Sequence, residues 1–456
     1  MNLAELYTPV LATLLRFRVQ LGLAAAWLLI VTAGHWMGVL QDLDEGMLDW
    51  RIRMPSARPA DTQLALIEIN EIPPDRPWPW SRLEFTLLLD RESLLRYAPR
   101  SLVLEPVLAG PDPVPREDSR LAEKLHLYDR HVLAAALVRE DAANSTTPTP
   151  APANVAGIPT RGSLAAVPKF AGAFWPYEGI AESAAIGISN LRPQGEAVTR
   201  WLPMIFQFRD KVVPSLSLQA AAQQLGADLS KSTAVPGSVI TLRDGEGKYL
   251  RSIPVDEEGR MRVRFHIGRP EGWRDTYGQF LVYQTSLGSD IRPPYELRLL
   301  RNRQVWVGRT DPAAIPVRTL AGDLPPVRLH MAGALNIIEG DFIRPLSTPM
   351  LFFLYALLMG AVIGAFYGLG MTQAMVLLAI AAVSWLELSI VLFRGWSLAM
   401  PMLGFVIFAL GAALWCVVAA YGPMPLPPES RRSESRQLVA PRRFTPRRGV
   451  RPTRHA

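Results

Sequence analysis

LALIEINEIPPDRPWPWSRLEFTLLLDRESLLRYAPRSLVLEPVL, residues 64–108, decides the fold. Its first eight residues alternate apolar and polar side chains and are rich in branched ones, the pattern of a strand. Residues 81–97 repeat Leu and Phe at spacings of three and four, as a helix does, and SLVLEPVL (101–108) is a second strand. Between strand and helix, Pro73, Pro74, Pro77 and Pro79 keep the chain extended, because a residue before proline avoids helical dihedrals. Ser81 is a suitable N-cap, and Glu84 three residues later completes a capping box. Trp78 and Trp80 then have two readings. They pack onto the sheet edge as part of a stiff corner, or they stack on a ligand.

Working outward, DSRLAEKLHLYD (118–129) predicts a second helix and HVLAAALV (131–138) a third strand. Strand, helix, strand, helix, strand at this spacing implies crossover connections and a parallel sheet. Residues 142–176 change character. Ala, Pro, Thr and Gly dominate, which predicts a surface excursion or flexible insert. Order resumes with IGISNL (186–191), WLPMIFQF (201–208) and a helix in SLSLQAAAQQLGA (215–227). Hairpin strands follow at 239–253 and 257–265, with turns at Asp244-Gly245 and Glu258-Gly259. RQVWVG (303–308) is a further buried strand, and VRLHMAGALNIIEG (327–340) a closing helix. The expected domain is α/β with a mostly parallel, mixed sheet.

Four apolar runs surround this block: 19–40, 350–370, 374–393 and 397–421. Each is long enough to cross about 30 Å of hydrocarbon as a helix. A cleaved signal peptide competes for the first run, since Val31-Thr32-Ala33 resembles a cleavage site. The run is too long for a signal core, and Trp36 and Met37 continue it. The organisation is a cytoplasmic N-terminus (1–18), one transmembrane helix, an aqueous domain (42–348), three more transmembrane helices and a tail (423–456).

The net charge of +7 is uneven. The tail holds nine Arg and two Glu, whereas 42–348 hold 36 Lys+Arg and 37 Asp+Glu. The basic balance therefore belongs to the tail, which suits anionic lipid or a docking partner, and no nucleic acid binding is expected of the domain. Arg16 and Arg18 precede the first span and the arginine tail follows the fourth, so positive flanks are expected to place both termini inside and 42–348 outside the membrane. Arg394, between the last two spans, opposes this and is outnumbered. The single cysteine, Cys416, lies in the last span.

The order of these features resembles the cyclase/histidine-kinase-associated sensory extracellular domains of type 2 (CHASE type 2). The carriers are DWRIR (49–53), LALIEINE (64–71), PWPWSR (77–82), LEPVL (104–108), DSRLAEKL (118–125), PSLSLQAAA (214–222), IPVDEEGRMRVRF (253–265), WVG (306–308) and LHMAGALNIIEG (329–340). The resemblance implies a sensor domain held between one N-terminal span and three C-terminal ones. Asn70 stands where such domains usually carry aspartate, and Glu105 replaces another. After Gly308 the usual Asp and Thr-Pro continuation is missing. Such receptors normally continue into a kinase, cyclase or phosphodiesterase. Here about 34 residues follow the last span, too few for a catalytic domain, so output through another protein is expected.

No enzyme constellation, metal spacing or cofactor motif stands out, and neither catalysis nor a cofactor is expected. Candidate ligand-binding residues cluster at the carboxyl ends of the presumed parallel strands: Glu68, Asn70, Glu71, Glu105 and Arg309, with Trp78 and Trp80 beside them. Open α/β sheets bind ligands at that edge. The plainer reading is polar strand ends hydrogen-bonding loops. His330, on an otherwise apolar helix, reads as a core histidine. Gly360, Gly364 and Gly368 form one face of the second span, which either packs the three spans together or joins two protomers. Glu387 is the one acid within a span, and either snorkels or works. Two function classes remain: a sensor subunit acting through a membrane or periplasmic partner or a second copy, and a structural subunit using the sensor fold as a docking surface.

Overall fold

The computed structural model describes residues 3–39, 41–54, 63–70, 72, 74, 77–91, 99–128, 130–138, 152, 154–191, 198–265, 281–284 and 300–421. The helices are α1 Leu3–Trp36, α2 Gln41–Ile52, α3 Arg82–Arg91, α4 Pro115–His126, α5 Glu178–Ala181, α6 Leu216–Leu225, α7 Pro326–Glu339, α8 Thr348–Leu369, α9 Met371–Trp396 and α10 Leu403–Tyr421. The chain divides into two compact units. One comprises Met1–Gln41, Ser347–Trp385 and Leu403–Ala456; the other comprises Asp42–Leu346 and Leu386–Met402.

The second unit is built on a seven-stranded sheet. Its strands in chain order are β1 Leu64–Ile69, β2 Ser101–Leu104, β3 His131–Val138, β4 Gly172–Phe174, β5 Ala185–Ile188, β6 Leu281–Gln284 and β7 Gln304–Arg309. Across the sheet they run β6-β1-β7-β2-β3-β4, and β5 also pairs with β3. Every pairing is parallel except β3 with β4. The sheet is therefore mixed and mostly parallel, as its strand–helix alternation predicts. The late strand β7 slots between β1 and β2, with Leu66 opposite Trp306 and Leu104 opposite Val307.

Both faces of the sheet are covered, and the period-two alternation of the strands assigns each side chain. Ala65, Ile67 and Ile69 of β1 and Val305 and Val307 of β7 pack with Phe85, Leu88 and Leu89 of α3 and Leu121 and Leu125 of α4. Leu64, Leu66, Val103 and Trp306 point the other way, into a larger core with Leu216 and Leu218 of α6 and Val327, Leu335 and Ile337 of α7. Helix α6 starts at Ser215, whose side chain accepts from Leu218 N–H, and ends at Gly226 in the left-handed region. Smaller antiparallel pairs flank this frame: Val239–Arg243 with Tyr249–Pro254, and Trp201–Pro203 with Arg260–Arg262.

The structure corrects the expectation for 142–176. Residues 142–151 and 153 lie outside the described residues, but 154–176 are not an excursion. Lys169–Phe170 pairs with Ile205–Phe208, and β4 pairs with β3. Val155, Ala173 and Trp175 are buried with Phe206, Phe208 and Val213, and Trp175 meets Phe208 edge-on at 5.2 Å. The Ala/Pro/Gly content is that of a tightly turning segment, and the few large side chains in it carry the packing.

Among the described residues, four helices are long and apolar enough to cross a membrane: Arg18–Trp36, Thr348–Leu369, Met371–Trp396 and Leu403–Tyr421. Tyr355 stacks on Phe408 at 4.6 Å and Trp385 on Phe405 at 4.5 Å. The indole N–H groups of Trp27 and Trp415 donate to the carbonyls of Phe408 (3.3 Å) and Gln20 (2.8 Å), and the Gln20 amide donates to Ala419 O. Polar side chains inside an apolar bundle thus find carbonyls across helices. A Cβ added at Gly411 would lie 1.9 Å from the Trp27 ring, so this glycine admits the close approach of α1 to α10.

Candidate functional site

The carboxyl ends of β1, β7 and β2 bring most of the predicted site residues together. Register places Glu68 opposite Gly308. Glu105 follows the pair Leu104–Val307, and its N–H donates to Val307 O at 3.0 Å. The two acids therefore flank Gly308 in one row, two interstrand spacings or about 10 Å apart at the backbone. Gly308 has no alternative here. A Cβ at this position would lie 2.4 Å from Val327 Cγ2, because the first turn of α7 covers the strand end.

That helix also supplies the partner of Glu68. Arg328 Nε and Nη2 both reach Glu68 Oε1, the first at 3.0 Å, and the carboxylate is buried. The pairing spans 260 residues of sequence, and no local pattern announces it. Arg309, at the end of β7, forms a two-pronged bond with Asp311, 2.7 and 2.8 Å. Its guanidinium also lies over the Trp78 ring, 4.5 Å from the centroid. The Arg309 hydrogen bonds hold the Asp311 carboxyl below the usual carboxylate range.

Glu105 behaves differently. Burial pushes its carboxyl up to about 7, against the opposing pull of the Arg309 backbone N–H and charge. It is a carboxyl that exchanges its proton near neutral pH, at the sheet edge where open α/β sheets bind ligands. At the same carboxyl edge, just past the ends of β1 and β7, Asn70 Oδ1 and Thr310 Oγ1 are buried with no hydrogen-bond partner among the described residues. Their backbones adjoin, since Thr310 N–H donates to Ile69 O at 3.0 Å. Glu71 lies outside the described residues.

The proline–tryptophan corner is built by packing and by a buried arginine. Trp80 is 3% exposed and meets Phe85 at 5.9 Å, while half-buried Trp78 packs on both Trp80 and Phe85. Arg82 donates through Nη2 to Gly110 O (2.8 Å) and through Nε to Asp118 (3.2 Å), and its backbone N–H donates to Asp112 (2.7 Å). The Asp112 N–H in turn donates to Asp118 at 2.8 Å. This network locks the corner to the loop after β2. Trp78 lies under the Arg309 guanidinium and belongs to the site edge; Trp80 belongs to the core.

His330 is fully buried. Its Nε2 bonds to Ser189 O at 3.1 Å and its Nδ1 meets Ser217 Oγ at 3.2 Å, and burial lowers its pKa to about 4. It is a neutral core histidine. The glycines of α8 are exposed, and a Cβ at Gly360, Gly364 or Gly368 would meet nothing within 4 Å. Among the described residues, no neighbouring helix therefore packs closely on them. Gly411, on which one does, carries no spacing signal. Glu387 is exposed on α9.

Comparison with known proteins gives a match to the CHASE2 domain family over residues 24–369. No curated protein matches the chain, and no solved structure does.

Proposed function

The chain belongs to the CHASE2 domain family, and on that footing we propose that it is a membrane-anchored sensor subunit that detects a ligand or condition outside the cell and passes the signal to a partner protein. The observation that carries this reading is the polar row at the carboxyl edge of the sheet. It combines Glu105, titrating near neutral pH, with Asn70 and Thr310, whose buried oxygens offer hydrogen bonds not taken up by the described residues. Such a row suits an uncharged, hydrogen-bonding ligand better than an ion, since Glu68 and Arg309 are already engaged by Arg328 and Asp311.

The flanking arginines support a bacterial inner-membrane location with 42–348 in the periplasm and both termini in the cytoplasm. Catalysis is assigned to the partner, and the open face of Gly360, Gly364 and Gly368 is where a second copy or a partner helix would approach closely. The self-satisfied pairs Glu68–Arg328 and Arg309–Asp311 also favour a second reading, a structural subunit that uses the sensor fold for docking.

Purification of the full chain in native-lipid particles tests the proposal. A second copy or another membrane protein should co-elute, and Gly364→Leu should weaken that association while the domain's melting transition stays unchanged. A lone monomer for both forms would overturn the relay and the docking readings together.

A further inference from the structure

Along the chain, helix α2 follows the first apolar helix and precedes β1, and its faces are used unequally. Leu48 and Ile52 are buried in the large core. Asp49 receives a two-pronged bond from Arg200, 3.0 and 2.6 Å, and Arg51 is 2% exposed. The opposite stripe carries Met47 and Trp50, 44% and 46% exposed, followed by exposed Arg53. Met47 and Trp50 are three apart on one side of the helix, and Arg53 follows just beyond its last residue, Ile52.

What faces this stripe follows from what α2 is tied to. It begins five residues after Trp36, the end of the first apolar helix. Asp44 accepts the N–H of Met402, the residue before α10, at 3.0 Å. The Arg51 guanidinium lies over the ring of Phe393, in the last turn of α9, at 5.5 Å. Segments adjoining three membrane-length helices thus converge on a single short helix. Chain geometry keeps each within a few residues of the bilayer surface, at roughly 3.5 Å per residue when extended.

We propose that the face formed by Met47 and Trp50 of α2, with Arg53 just after it, is a lipid-contact surface, lying in the headgroup–acyl boundary of the leaflet next to the domain. The side chains suit that boundary. Indole is amphipathic and favours the interface, Met supplies an apolar contact, and Arg carries its charge up to phosphate on an apolar stem. An interfacial helix sinks its apolar face about 5–10 Å into this zone.

The test uses the full chain in lipid nanodiscs, with Cys416→Ala to remove the single native cysteine. An environment-sensitive fluorophore is attached at Met47→Cys, at Trp50→Cys or, as control, at Tyr249→Cys, an exposed position on the flanking hairpin. Each variant is first required to keep the parent's melting temperature. In nanodiscs of lipids brominated high on the acyl chain, the labels at 47 and 50 should lose most of their emission relative to ordinary lipid, while the label at 249 should not change. Labels at 47 and 50 that respond like 249 would overturn the proposal. So would efficient oxidative cross-linking of Met47→Cys between two copies, which would assign the face to a second protomer.

Discussion

Glu105 and His330 make opposite demands on the solvent. The Glu105 carboxyl titrates near 7 in the fold, against an ordinary value of 4.5. Between those values the native chain holds a proton that the unfolded chain has released, so this group's contribution to stability falls as pH rises through that window and levels off above it. His330 is lowered from 6.5 to about 4, so between those values the unfolded chain binds a proton that the native chain refuses, and stability is lost as pH falls. The two effects oppose each other, and the substitution Glu105→Gln separates them. Melting curves taken from pH 4.5 to 7.5 should show the wild type losing stability relative to the variant as pH rises. Parallel curves would mean that Glu105 is not buried as described. Arg328→Ala should cost about 3–5 kcal/mol by removing the arginine charge from a buried carboxylate, and Glu68→Gln in the same chain should recover part of it. A double-mutant cycle in chemical unfolding measures that coupling. His330 was legible in sequence because it sits between apolar Leu329 and Met331 in a mostly apolar helix. Arg328 was not, since its partner is 260 residues away.

At the scale of elements, strand alternation and helical periodicity located β1, β3, α6 and α7 to within a few residues, because each buries a regular face. What periodicity does not encode is neighbourhood. RQVWVG reads as a buried strand, but nothing local places it between β1 and β2 rather than at an edge. Residues 154–176 look like a loop because their buried side chains follow no period, yet Trp175 anchors a cluster. Helix α2 escaped notice because its buried face is half charged, with Asp49 and Arg51 beside Leu48 and Ile52. The glycines of the apolar helices make the same point. Spacing singles out Gly364, whereas contact singles out Gly411, where Trp27 leaves no room for a side chain. Gly411→Leu should therefore destabilise the helix bundle by about 1–3 kcal/mol or more through overpacking. Gly364→Leu should leave bundle stability unchanged. Unfolding of both variants in SDS titrations checks the contrast, and equal losses would contradict the packing described.

For the whole molecule, hydropathy and charge carried the plan: one apolar helix, a domain of balanced charge, and three more apolar helices. The CHASE2 match, residues 24–369, runs from the first of these helices through the second. The polar row at the sheet edge was partly legible, because strand ends can be read locally, while the partners that set its charge state arrive from α7 and the loop after β7. The account rests most heavily on the domain facing away from the cytoplasm, since only there could it report on the surroundings to a partner across the membrane. Alkaline phosphatase, which is active only outside the cytoplasm, tests this directly when fused after residue 120 and after residue 430. The account predicts activity for the fusion at 120 and none for the fusion at 430; the reverse pattern would contradict it.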